Sequence, residues 1–248
     1  MNHRSVNIRQ ISQTRAEQVG YYRFLDNENV TVSELGRSLA DSCGQQVGGL
    51  HVLSISDTSE INLQADVGRL KPEGLGVVGN NQDVGFFLHP SLALNAADGC
   101  PLGISHVQMW TRAAEHPDKH QRGYASLPIE QKESYKWVQS AEGSARCLLG
   151  GGARQITHIG DRESDMYEEW ARVPDAMNQL LVRVRGDRRL RGCSDSLYAY
   201  LAGQRCEGTY TIDVPADARI GRRAREAWMA VRFTPVEVQR STNVSAAD

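Results

Sequence analysis

The order in which extended and helical runs succeed one another limits the fold of this chain more than any single motif. His51-Val-Leu-Ser-Ile-Ser-Asp57 interleaves apolar Val52, Leu53 and Ile55 with small polar residues and stops at Asp57-Thr58-Ser59. That pattern predicts a strand that delivers its last side chains to a sheet edge. After a glycine-rich, turn-like stretch from Leu70 to Asp83, the extended runs 84–90 and 91–96, the turn Ala97-Asp-Gly-Cys-Pro101 and the run from Leu102 to Trp110 predict an antiparallel meander. Ser126 to Leu149 then reads as a helix, with Ser126 or Pro128 near its start, Trp137, Ala141 and Ala145 at helical spacing, and Gly150-Gly-Gly152 as its stop. Gln155 to Gly160 is a short strand leading into Asp161-Arg-Glu-Ser-Asp165, Met166 to Val173 continues with helical periodicity, and Gln179 to Val184 is another apolar strand.

Three strands, a helix, a fourth strand, a helix and a fifth strand form the order of the ribonuclease-H-like (retroviral-integrase-like) fold, an α/β mixed sheet flanked by helices. In that arrangement the first and fourth strands lie side by side and parallel, so Asp57 and Asp161 project together from neighbouring strand ends. Upstream, the spacing of Ala16, Val19, Tyr22, Phe24 and Leu25, and of Val32, Leu35, Leu39 and Ala40, predicts two short amphipathic helices separated by a turn at Asp26 to Asn29. Downstream, Thr209 to Val214 and Trp228 to Phe233 alternate around an arginine-rich loop, as in an antiparallel β insertion. The expected divisions are 1–47, 48–200 and 201–248.

Composition excludes several classes. A chain of 248 residues, 40% hydrophobic and 23% charged, can bury one substantial core plus a small subdomain. No apolar run approaches the roughly 18 residues of a membrane span, and Met1 to Gln10 lacks a signal-like apolar stretch, so a cytoplasmic protein is expected. The five cysteines (43, 100, 147, 193 and 206) are scattered and lack a C-x-x-C pair, which predicts reduced and mostly buried thiols. With a net charge of −2, attraction to nucleic acid has to come from local charge distribution.

Two adjacent carboxylates repel, and a protein keeps both ionised most readily by placing divalent cations between them. A pair of Mg²⁺ ions roughly 4 Å apart serves phosphodiester chemistry in this way, with Mn²⁺ as a substitute. Asp57 and Asp161 are the candidate catalytic, metal-binding residues. The plainer alternative makes Asp57 a turn or helix cap and Asp161 a helix N-cap. Five arginines, Arg183, Arg185, Arg188, Arg189 and Arg191, crowd nine residues beyond the fifth strand and are candidates for DNA phosphates, against a solvated turn. Arg219, Arg222, Arg223 and Arg225 form a second group, and Arg162 is expected to pair with acids of the site.

Asp57-Thr58-Ser59 resembles the D-T-T or D-T-S after the first strand in transposases of the insertion-sequence-four family, and Asp161-Arg-Glu-Ser-Asp165 resembles their D-R-E-x-D signature. Further landmarks follow in family order over about positions 15 to 235. They are Tyr22-Arg23-Phe24 with Asn29, Gly85-Phe-Phe-Leu-His89 with Leu92, Pro101-Leu-Gly103 into Trp110, and Lys132-Glu-Ser-Tyr-Lys136-Trp137.

The resemblance implies cut-and-paste DNA transposition: hydrolytic nicking, then strand transfer by the freed 3′-hydroxyl at one D-D-E metal site. Double-stranded DNA (element ends and target) and a homodimer, or a dimer with a full-length transposase, are the implied partners. It also makes residues 1–47 a remnant of a DNA-binding domain and gives Arg183 and Arg185 the DNA backbone. The family's glutamate lies in a Y-x-x-R-x-x-x-E-x-x-x-x-x-x-K pattern beyond the β insertion, and no such pattern occurs before Asp248. A fragment lacking its third carboxylate and inactive alone is therefore expected, with Glu60, Glu163 and Asp165 as the nearest substitutes. The alternatives are a non-catalytic DNA-binding or dimer-forming remnant, and a stand-alone metal-dependent nuclease.

Other features carry less. Gly74-Leu-Gly-Val-Val-Gly79 spells G-x-G-x-x-G without a strand before it or a helix after it. His116 and His120 sit in a loop, and His89, His106 and His158 are expected as satisfied strand histidines. Trp110, Trp137 and Trp170 are read as core, with Trp110 close enough to the sheet edge to stack on an unpaired base.

Overall fold

The computed structural model describes residues 5, 7–70, 74–79, 82–113 and 127–239, in two units spanning 1–183 and 184–248. The N-terminal helices thus belong with the sheet in the first unit, and the division falls after 183 rather than after 47 and 200.

The first unit is mixed α/β. Its helices α1 (Ile8–Ile11), α2 (Arg15–Leu25) and α3 (Val32–Gly44) precede β1 (His51–Ser56), β2 (Ser59–Asn62), β3 (Gly76–Val78), β4 (Asp83–Asn95) and β5 (Pro101–Trp110). Then come α4 (Tyr135–Gly150), β6 (Gln155–Gly160), α5 (Tyr167–Arg172) and β7 (Asn178–Val182). Through the sheet the five longer strands run in the order β5, β4, β1, β6, β7. β4 is antiparallel to both β5 and β1, whereas β1, β6 and β7 are mutually parallel, so the sheet is mixed and flanked by helices.

Proline explains the break between β1 and β2. Both strands pair with β4 in one register, which sets Asp57 and Thr58 opposite Pro90 and His89. Pro90 has no N–H to give the ladder, so pairing lapses there and resumes at Ser59. The sequence predicted an end at Asp57 and missed β2, whose four residues are too few for a visible alternation. β3 falls within the stretch read as a turn, and it pairs with β4 at Gly85, where β2 also pairs. A Cβ on Gly85 would strike the Ile61 carbonyl, so this crowded position needs glycine.

The helix expected from Ser126 begins later, at Tyr135, after a short 3-10 turn at Ile129–Gln131. Ser126, His116 and His120 lie outside the described residues. Small residues let α4 approach the sheet closely. Ser140 and Ser144 hydrogen-bond to Ser91 and Ser54 at 2.7 Å each, and Ser144 also meets Ser105 at 2.7 Å. Beside this polar seam, Cys43, Val47, Val52, Ala93, Leu148, Ala153 and Ile156 form the apolar core, so α3 is anchored through its last turn. By contrast, α2 buries no residue, and Tyr22, Phe24 and Leu25 stay exposed. All five cysteines are free, but only Cys43 is buried; Cys100 and Cys206 are exposed, which corrects the expectation of mostly buried thiols.

The second unit holds α6 (Leu197–Ala202) and an antiparallel pair, β8 (Gly208–Val214) and β9 (Arg225–Val231), joined by the arginine-rich loop as expected. Among the described residues, no helix is long and apolar enough to cross a membrane.

Candidate active site

The parallel pairing of β1 with β6 runs from His51 against Gln155 to Ile55 against Ile159. Extending that register, Asp57 and Asp161 are the residues immediately past the two strands, at equivalent positions. Neighbouring strands lie about 4.8 Å apart, so two residues 104 positions apart in sequence leave the sheet side by side. β7 continues the pattern, since Gly160 pairs with Val182 and the Arg183 N–H donates to the Gly160 carbonyl at 3.3 Å. Three consecutive strand ends thus carry Asp57, Asp161 and Arg183 in one row.

Asp57 and Asp161 line a single cleft of about 360 Å³, together with Thr58, Glu60, Phe87, Arg112, Glu133, Lys136 and Glu163. Each aspartate accepts one short local bond, Asp57 from the Thr58 N–H at 2.8 Å and Asp161 from the Glu163 N–H at 2.7 Å. The capping role weighed for Asp161 is therefore real, and one oxygen does it. Neither aspartate forms a salt bridge among the described residues. The cations of the cleft are held elsewhere. Arg112 binds both oxygens of Glu133 at 2.6 and 2.7 Å, and Lys136 lies 3.2 Å from Glu163. Glu133 also accepts the Trp110 indole N–H at 3.0 Å. With five carboxylates against two cations, the cleft keeps an excess of negative charge focused on the aspartates.

This donor set fits a hydrated divalent cation. Mg²⁺ is usually held by one or two carboxylates, with waters and substrate phosphates completing the shell. Among the described residues, no three His, Cys, Asp or Glu side chains come together as a metal cage. Of the acids weighed as a third ligand, Glu60 and Glu163 reach the cleft, but Glu60 accepts the Gly79 N–H at 2.9 Å and Glu163 holds Lys136. Asp165 is buried and does not line it.

Behind Asp57, His89 is wholly buried. Its Nδ1 lies 2.8 Å from the Thr58 hydroxyl, and its ring meets Trp137 edge-on with centroids 4.7 Å apart. Burial first, then nearby Lys136 and His106, lower its pKa to about 4 against the opposing pull of Asp161, so the ring is neutral at pH 7. His158 is satisfied by Asn178 at 3.0 Å, whereas the buried Nε2 of His89 has no hydrogen-bond partner among the described residues. His89 and His158 are strand histidines, as expected, and His89 braces the loop that carries Asp57.

Sequence reasoning missed Arg112, Glu133 and Lys136. For Glu133 and Lys136 the signal was faint, because a charged run at the head of a helix ordinarily means a solvated face, and Arg112 is a lone charge just past β5. Arg162 is exposed and pairs with no acid among the described residues, contrary to expectation; Arg112 and Lys136 instead pair with Glu133 and Glu163. Trp110 stacks on Phe87 at 5.4 Å, with the Arg112 guanidinium 4.3 Å from the Phe87 centroid, so its ring is already engaged within the protein. Arg183 is exposed and unpaired among the described residues. Arg185, Arg188, Arg189 and Arg191 belong to the second unit, where Arg191 binds Glu237 at 2.7 Å. A larger groove of about 810 Å³ lies between α3, β5 and α4, yet it holds neither aspartate, so chemistry rather than volume selects the smaller cleft. No model of a known protein family matches the chain.

Proposed function

We propose that this chain is built as a DNA transposase of the insertion-sequence-four kind on a ribonuclease-H-like domain, and that Asp57 and Asp161 alone do not cut DNA phosphodiesters. The observation that carries this is the arrival of Asp57 and Asp161 at one register of two neighbouring parallel strands, inside one acidic cleft. The strand order β5-β4-β1-β6-β7, with two antiparallel pairings on one side of β1 and two parallel pairings from it to β7, supports the same reading.

In it, Asp57 and Asp161 offer the carboxylate oxygens for Mg²⁺, or Mn²⁺ in its place. Bound there, the cation supplies Lewis-acid activation of a water or a 3′-hydroxyl. In this reading Arg183, one strand over, neutralises a phosphate of the DNA backbone, and Arg185, Arg188, Arg189 and Arg191 are further candidates for phosphate contacts. Thr58 and His89 hold the Asp57 turn, and Asp161 is fixed by the bond it accepts from Glu163.

Among the described residues no third ligand joins Asp57 and Asp161 in a metal cage, which favours a second reading: a chain that binds DNA and does not cut it. One measurement tests the DNA role that both readings share, and a second tests cutting. Affinity for a duplex should fall steeply with salt, and a flat dependence would remove the DNA role of the arginines. Supercoiled plasmid with Mg²⁺ or Mn²⁺ should show no nicking above an Asp161→Ala control; clear Asp161-dependent nicking would mean that the two aspartates suffice in this chain and would eliminate the non-cutting reading.

A further inference from the structure

We infer that Lys136 is the phosphate anchor of the cleft, exchanging its bond to Glu163 for a non-bridging oxygen of the DNA strand that lies against Asp57 and Asp161. The inference rests on the DNA reading above and deepens it by naming the group that holds the substrate.

Position comes first. Lys136 lies in the first turn of α4 and lines the same cleft as the two aspartates, although its side chain is only 12% exposed. Two indoles hold it there: the ammonium is 5.5 Å from the Trp110 centroid and 5.9 Å from that of Trp137. Lysine normally extends its charge into water, so one kept against two aromatic faces at the floor of an acidic cleft is pre-positioned.

The pairing pattern then decides which cation can be exchanged. Arg112 is committed, because Glu133 takes three hydrogen bonds from its guanidinium and one more from Trp110. Lys136 has a single hydrogen bond to an acid, at 3.2 Å, and that acid, Glu163, is 65% exposed. An ion pair with one exposed partner is weak and screened. A phosphate entering between Lys136 and a cation on the aspartates would be attracted from both sides, while Glu163 can turn to water. Lys136 therefore screens Glu163 in the empty cleft and screens the substrate when the cleft is filled.

Coupling between the two side chains tests this in the full chain. The probe is a 30-base-pair duplex of arbitrary sequence, with affinity measured from 50 to 200 mM salt. Losing one phosphate contact lowers the salt slope by about 0.9, or about 3.5-fold in affinity across that fourfold range. Lys136→Met should show that loss, and Lys136→Arg should restore most of the wild-type slope. Glu163→Gln should tighten binding about threefold, as expected when one competing charge is removed from a phosphate contact, and should do so only while Lys136 is present. A purely structural lysine would lower the melting temperature of Lys136→Met but would leave the Glu163→Gln effect unchanged in that background. An unchanged slope in Lys136→Met, or tightening by Glu163→Gln that persists without Lys136, overturns the anchor and leaves the DNA reading standing. Failure of the wild type to bind the duplex at 50 mM salt overturns the DNA reading and the anchor with it.

Discussion

Glu169 should make this protein less stable as the solution becomes more alkaline, and the size of the effect follows from its surroundings. Its side chain lies on α5 with 3% exposure, and burial raises its pKa from 4.5 to about 8, the Ser164 hydroxyl opposing in part. The folded state therefore holds a proton near neutrality that the unfolded chain has released. A raised carboxyl pKa contributes stability that is complete below about pH 4.5 and is lost as pH climbs through about 8. The full span is worth about 5 kcal/mol, at 1.36 kcal/mol per pKa unit. Between pH 6 and pH 8 the loss is about 2 kcal/mol, which moves a urea midpoint by about 1 M for a domain of this size. Glu169→Gln keeps the shape and removes the proton, so urea unfolding at pH 6, 7 and 8 should show a wild-type decline that the variant lacks. Comparing the two proteins cancels the histidines, which titrate in both. Parallel pH profiles for wild type and Glu169→Gln would refute this account of how α5 packs.

Two further outcomes follow from the same geometry. A Cβ on Gly160 would strike the Ser164 hydroxyl and come within 2.6 Å of the Ser164 Cβ, so Gly160→Ala should destabilise by about 1–3 kcal/mol in urea unfolding; no loss would mean that the Asp161 turn can shift freely. His89, depressed to about 4, contributes stability that is present above about pH 6.5 and lost as pH falls toward 4, so wild type should lose about 3 kcal/mol over that span relative to His89→Gln. Equal acid sensitivity of the two proteins would contradict the burial of that ring.

Much of the sheet was legible because its strands announce themselves locally. β1 and β6 are short apolar runs that each end at an aspartate, and the parallel pairing inferred from element order places those aspartates in register. The missed strands have a physical reason. β2 and β3 owe their pairing to β4, which offers them a ladder at Gly85, and three or four residues carry no period of their own. The late start of α4 was hidden because Lys132 to Lys136 would suit a solvated first turn equally well. Only tertiary placement shows that Glu133 turns to Arg112 and Lys136 to the cleft. For the same reason Arg162 was misassigned: proximity in sequence to Asp161 says nothing about which cation reaches the acids.

The central claim is that Asp57 and Asp161 share a divalent cation, and Mn²⁺ titration followed by electron paramagnetic resonance tests it most directly. Wild type should bind one weakly held Mn²⁺, and Asp57→Asn and Asp161→Asn should each weaken it by about tenfold or more, since either loss leaves a single carboxylate. Binding that persists unchanged in one of the two variants would mean that the strand ends do not act together.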